Sequence, residues 1–154
     1  MGILVPVIPY LVRQFRSDAT TLGLLSMSFS AAQFFASPVL GVLSDRYGRR
    51  PVLLISILGT AIGHFLFGLA TSLPMMFFAR ILDGATGGNI ATAQAYIADT
   101  TAPEDRAKSF GLIGAAFGLG FIIGPAIGGL LSTISIAAPA YGAGVLALLT
   151  CAFG

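Results

Sequence analysis

The chain has 154 residues, 56% of them apolar and 9% charged, with a formal net charge of +2. Soluble domains carry about 25% charged residues, and no soluble core of this size could hide so much apolar surface. The composition therefore excludes a water-soluble fold. The bases sit in loops rather than on a stripe interleaved with aromatics, which excludes a nucleic-acid surface.

The sequence shows no zinc-ligand spacing, no phosphate loop and no nucleophile–histidine arrangement, so neither a metal site nor covalent catalysis is expected. The single cysteine, Cys151, rules out an internal disulfide. It reads as a small residue facing lipid or a neighbouring helix. Twenty glycines and eight prolines suit membrane helices, where both residue types are common.

In chain order, residues 1–12 are apolar but shorter than the roughly 20 residues of a membrane crossing. They lack a signal-peptide cleavage site and read as the outer end of a first span. Residues 13–18 form a short polar loop. The second span is expected over 20–43 and the third over 51–70. Pro51 suits the first helical turn, where its missing N–H costs nothing. Residues 71–74 form a tight turn, and the fourth span covers 74–98. A charged loop, DTTAPEDRAK, follows over 99–108. The fifth span covers 109–132, and a sixth begins at 137 and runs to 154, short of a full crossing.

Between the second and third spans lies a charged elbow, residues 44–50. The loops on its side of the membrane hold Arg46, Arg49, Arg50, Arg106 and Lys108, against Arg13 and Arg16 on the other. Positive charge accumulates on the cytoplasmic side, so the elbow is expected in the cytoplasm, and a bacterial inner membrane fits best.

Two ionisable residues lie inside the fourth span. Arg80 and Asp83 are three apart and share a helix face, about 9–14 Å from the end of the span at 1.5 Å per residue. A charge at that depth costs at least about 2.5 kcal/mol. It persists only if paired or facing a wet cavity. Two readings stay open: a fixed ion pair that sets packing, or a coupling element in which Asp83 exchanges a proton. Gln94 lies three turns on, on the face of Asp83, where it could line the same cavity. Asn89 and Tyr96 line a neighbouring face. Gly84, Gly88, Ala91 and Ala95 form a small-residue seam for close helix packing. His64, inside the third span, reads either as a hydrogen-bonded packing residue or as a proton relay.

The fifth span carries Gly111, eight residues, Gly120, then Gly124-Pro125-x-x-Gly128-Gly129. Gly120, Gly124 and Gly128 make a groove at four-residue spacing. Pro125 removes one backbone hydrogen bond and is expected to kink the helix.

Several of these strings resemble one family. Gly41-x-x-x-Asp45-Arg46-x-Gly48-Arg49-Arg50 resembles the signature between the second and third helices of major facilitator superfamily transporters. ARILDGATGG, AYIADTTAPEDRAKSFG and GLGFIIGPAIGG resemble the multidrug and tetracycline efflux branch, and the fifth-span glycines match its antiporter motif.

The resemblance implies an all-α membrane protein, the amino-terminal six-helix half of a twelve-helix fold. That half is built from 3+3 inverted repeats, with its first and sixth helices clipped and its carboxy-terminal half as the partner surface. It implies proton-coupled efflux of small amphipathic compounds by alternating access, with protons and a small-molecule substrate as partners in a lipid bilayer and no cofactor. It further implies that Asp45, Arg49 and Asp99 form a charge cluster closing the cytoplasmic side. The alternatives are a sugar or organic-acid transporter of the same family and a non-transporting membrane fragment.

Overall fold

The computed structural model describes residues 19–87 and 89–153. Six helices follow one another: α1 Ala19–Tyr47, α2 Arg49–Gly68, α3 Leu73–Thr86, α4 Asn89–Thr100, α5 Arg106–Ser132 and α6 Ala138–Phe153. No strand occurs among the described residues, in keeping with the all-α expectation. The expected first span, the loop after it and Gly88 of the small-residue seam lie outside the described residues.

The elbow is not a loop. Helix α1 continues through Asp45 and Arg46 to Tyr47, and α2 starts at Arg49. One residue, Gly48, joins them at φ +98°. That backbone region is open to glycine at no steric cost, so the whole reversal is made at one position. The charges expected in a loop are consequently the last turn of one helix and the first turn of the next.

The expected fourth span is also altered. It is two helices, α3 and α4, the first ending at Thr86 with Gly87 as its cap. Two consecutive glycines each lose about 0.8–1.0 kcal/mol of helix propensity relative to alanine. Gly87 ends α3 by donating its N–H to the Gly84 carbonyl at 3.0 Å, a tighter closure than an α-turn. The side chain of Gln33 on α1 donates to the Gly87 carbonyl at 3.0 Å, which satisfies an acceptor that the break frees. Helix α5, by contrast, runs through Pro125 without interruption.

Helices α1, α2 and α3 pack tightly at the end away from the elbow, and α6 lies along α2. Leu25 of α1, Phe67 of α2, Met76 and Ala79 of α3 and Ala140 of α6 form the buried core there. Glycines permit the approach. A Cβ on Gly84 would collide with the Phe29 backbone of α1, and one on Gly63 would meet the Asp83 Cβ at 2.9 Å. Such contacts let helices associate in lipid, where no hydrophobic effect separates side chain from solvent.

Elsewhere, apolar side chains point outward. Phe34 and Phe35 of α1 are each 74% exposed, as is Ile122 of α5. Helices α1, α2 and α5 are long and apolar enough to cross a membrane, and α6 is a shorter apolar helix. A bundle that buries His64, Arg80 and Asp83 while displaying phenylalanine and isoleucine is inside out by the standards of water and correct for lipid.

Candidate functional site

Two ionic clusters stand at different depths of this bundle. The first is built on the face that α3 turns toward α2. Arg80 and Asp83 are each 4% exposed, and so is His64 of α2. The carboxylate of Asp83 is divided between two bases. Its Oδ2 lies 3.4 Å from Arg80 Nη1, and its Oδ1 lies 3.7 Å from His64 Nδ1. The absence of side chains at Gly63, and at Gly59 one turn away against Thr86, is what lets α3 reach this depth against α2.

The two bases are held by other contacts. His64 Nδ1 lies 2.7 Å from the Thr60 carbonyl, one turn back on α2. A carbonyl only accepts, so Nδ1 carries the hydrogen and Nε2 is the basic nitrogen of the neutral ring. The Arg80 guanidinium carbon sits 4.5 Å from the Phe67 ring centre and 5.8 Å from that of Phe29, within cation–π range of both. Its Nη2 has no hydrogen-bond partner among the described residues. The arginine is thus caged by aromatic faces more than by hydrogen bonds.

Next to this cluster a cavity of about 430 Å³ opens between α2, α4, α5 and α6, lined by Leu53, Ile57, Thr60, Ile90, Phe117 and Ala147 among others. The lining is almost wholly apolar. Thr60 belongs both to the cavity wall and, through its carbonyl, to the histidine's support. Apolar walls with few polar groups are the usual make-up of small-molecule sites.

The second cluster lies at the elbow. Arg49, the first residue of α2, donates from Nε to Asp99 Oδ2 at 2.9 Å, and its Nη1 faces Asp45 Oδ1 at 2.5 Å. The same Nη1 donates to the Ser44 hydroxyl at 2.7 Å, and that hydroxyl donates to the Gly41 carbonyl at 2.8 Å. Asp45, Arg49 and Asp99 therefore meet, tying the α1–α2 turn to the end of α4. Both aspartates are more than half exposed. Arg46 leans on the neighbouring Tyr47 ring instead, 5.6 Å away, and Arg50 occupies the first turn of α2.

Other expected site residues are placed differently. Gln94 is exposed on α4, whereas Asp83 is buried on α3. The three-turn register that put them on one face assumed an unbroken helix, and the glycine break removes it. Tyr96 is likewise exposed. Asn89 opens α4, its side chain lying outside the described residues.

On α5, Gly124 and Gly128 are buried. A Cβ at Gly111, Gly120 or Gly129 would meet nothing within 4 Å. The motif is thus split, with Gly124 and Gly128 buried, Gly111, Gly120 and Gly129 open, and Pro125 inside a continuous helix. Gly41 is also open on its Cβ side and serves the elbow through its carbonyl.

Sequence reasoning missed Thr60, Gln33 and Ser44. It also missed the Gly59–Gly63 pair, although two glycines four residues apart in an apolar run are a readable sign of close helix contact.

Comparison with known proteins agrees along the whole length. The sequence model of the family described as Major Facilitator Superfamily matches residues 1–154. The class C tetracycline resistance protein of Escherichia coli is 47% identical over 149 residues, which are 95% of this chain and 38% of that protein. Multidrug resistance protein 2 of Bacillus subtilis (strain 168) is 34% identical over 150 residues, 97% of this chain and 38% of that one.

Among solved structures, the human organic anion transporter MFSD10 (TETRAN) superposes with a TM-score of 0.75 at 28% identity, covering 94% of this chain and 35% of that chain. The chain spans less than half the length of each of these relatives.

Proposed function

The chain belongs to the Major Facilitator Superfamily, and on that premise we propose that it forms the amino-terminal half of a proton-coupled antiporter exporting small amphipathic compounds by alternating access. The exchange breaks no covalent bond and calls on no cofactor. Its energy is the proton gradient across a bacterial inner membrane, with the elbow on the cytoplasmic face.

One observation carries the reading. Asp83 is an acid at membrane depth whose carboxylate is divided between an arginine and a histidine, with neither contact closer than 3.4 Å. Neither contact is as short as a charge-assisted hydrogen bond of about 2.7–2.9 Å, so the carboxylate is not committed to one base. Ionisable groups kept inside a membrane despite their cost mark ion and proton pathways. The apolar cavity beside the cluster suits an amphipathic substrate, and the relatives named for tetracycline and multidrug resistance support the same class.

The elbow cluster supplies a latch. Arg49 and its two aspartates join the α1–α2 turn to the end of α4, so they hold that end closed until the bundle halves rock apart. The open glycines of α5, Gly111, Gly120 and Gly129, leave the helix bare where a second half would slide.

The decisive experiment uses everted vesicles carrying the protein at its natural length, an interior-acid gradient and a pH-sensitive dye. Tetracycline collapses the gradient in wild type and fails to do so in Asp83→Asn. Silence of the wild type toward tetracyclines and lipophilic cations alike sinks the efflux reading. The structural likeness to a human organic anion transporter favours a second reading, in which the substrate is an organic anion. A gradient collapsed by organic acids but not by tetracycline establishes that one.

A further inference from the structure

We propose that His64 is the group that loads and unloads the transported proton in this bundle, with Asp83 as the counter-charge it shares with Arg80. The proposal rests on the antiporter reading and names the residue that carries the coupled ion.

Three ionisable groups share the charge of the cluster. Arginine does not give up its proton in proteins, so Arg80 is a fixed cation. That leaves Asp83 and His64 as the groups able to take a proton. If Asp83 takes it, Arg80 stays buried with no anion beside it, held only by the rings of Phe67 and Phe29. A buried cation without a counter-ion is a costly state.

If His64 takes it, the order becomes histidinium, carboxylate, guanidinium, with one oxygen of Asp83 facing each cation at 3.7 and 3.4 Å. Every charge then has an opposite neighbour. The two-sided carboxylate that looks poorly made as a simple ion pair is well made as a seat between two cations.

The ring is also built for repeated loading. Its Nδ1–H is already committed to the Thr60 carbonyl at 2.7 Å, so the arriving proton goes to Nε2 and leaves that hydrogen bond unchanged. The helix need not rearrange when the charge appears. Thr60 lines the cavity between α2, α4, α5 and α6 as well, so the ring is one residue removed from the proposed substrate space.

No other ionisable side chain competes at the site among the described residues. Helix α1 brings Phe29, its charges lying at the elbow. Helix α3 brings only Arg80 and Asp83. Tyr141 of α6 stands against Gly68, and Cys151 of α6 stands at the Leu54 carbonyl. The acid at the end of α4, Asp99, is engaged with Arg49.

Two measurements on the protein at its natural length test this. In lipid nanodiscs, histidine labelled with nitrogen-15 is followed by NMR, and His64 is identified as the signal missing from His64→Gln, or from His64→Asn where the first variant does not assemble. The expected result is a neutral ring protonated at Nδ1 in alkali. It gains a second, reversible proton between about pH 9 and about pH 5, along a titration curve altered in Asp83→Asn. A ring that stays neutral throughout overturns the proposal.

In proteoliposomes with tetracycline as the probe, His64→Gln is expected to lose gradient-driven accumulation by roughly tenfold or more, the scale at which a proton-transfer group matters. Tetracycline counterflow, which needs no net proton movement, is expected to persist. A merely structural histidine lowers both together, and a variant that still accumulates like wild type overturns the proposal. Failure of the wild type to move tetracycline defeats the antiporter reading instead, and the NMR titration then decides the role of His64 alone.

Discussion

The two ionic clusters use similar side chains under opposite conditions. At the elbow, Arg49 makes contacts of 2.5 and 2.9 Å with aspartates that are more than half exposed. In the bundle, Arg80, Asp83 and His64 are almost fully buried, yet their contacts are 3.4 and 3.7 Å. Short distance therefore does not measure how much an ion pair matters. At the elbow water screens the charges, and many such pairs contribute nothing measurable to stability. In the bundle, among the described residues, no other ionic group compensates the charges, so loss of one partner is expensive even though the contact is loose.

The largest expected effect comes from breaking the buried side of that contrast. Asp83→Leu leaves Arg80 as an uncompensated buried cation and should cost about 3–5 kcal/mol, read as a large fall in thermal unfolding temperature in detergent. A stability within error of wild type would mean that the arginine reaches water or another anion. Next comes the packing that creates the burial. Gly84→Leu drives a side chain into the Phe29 backbone and should cost about 1–3 kcal/mol, with His64 becoming accessible to alkylating reagents as α1 and α3 part.

Gln33→Leu removes the hydrogen bond to the Gly87 carbonyl and should cost about 0.6–1 kcal/mol. Faster amide exchange confined to residues near the break is the matching observation.

The smallest effect on stability is expected at the elbow, where Asp99→Asn should leave the unfolding temperature unchanged. Its signature is functional: high salt should mimic the substitution in wild type and add little in the variant. A large fall in unfolding temperature from Asp99→Asn would erase the distinction between the clusters.

The contrast was only partly legible in the sequence. The depth of Arg80 and Asp83 could be counted along an apolar run, and their i, i+3 spacing put them on one face. Hydropathy and loop charge predict five spans from the second onward, whereas six helices are present among the described residues because the fourth span is two. What could not be read was the third member. His64 lies 19 residues from Asp83 across a helical hairpin, and only the packing of Gly59 and Gly63 against α3 brings it there.

The register linking Asp83 to Gln94 failed for a local reason. It counted turns through Gly87, where a helix ends. Charge alone does not distinguish a loop from the adjoining ends of two helices, and only the positive φ at Gly48 shows that one residue suffices to join them.

That single residue has a mechanical consequence. The connections at residues 69–72, 101–105 and 133–137 have four or five residues, enough slack to absorb a change in helix angle. At the elbow there is one, Gly48, so a tilt of α1 against α2 falls on the φ and ψ of that glycine alone. Helices α1 and α2 therefore share a one-residue pivot set among the elbow charges, and the second of them carries His64.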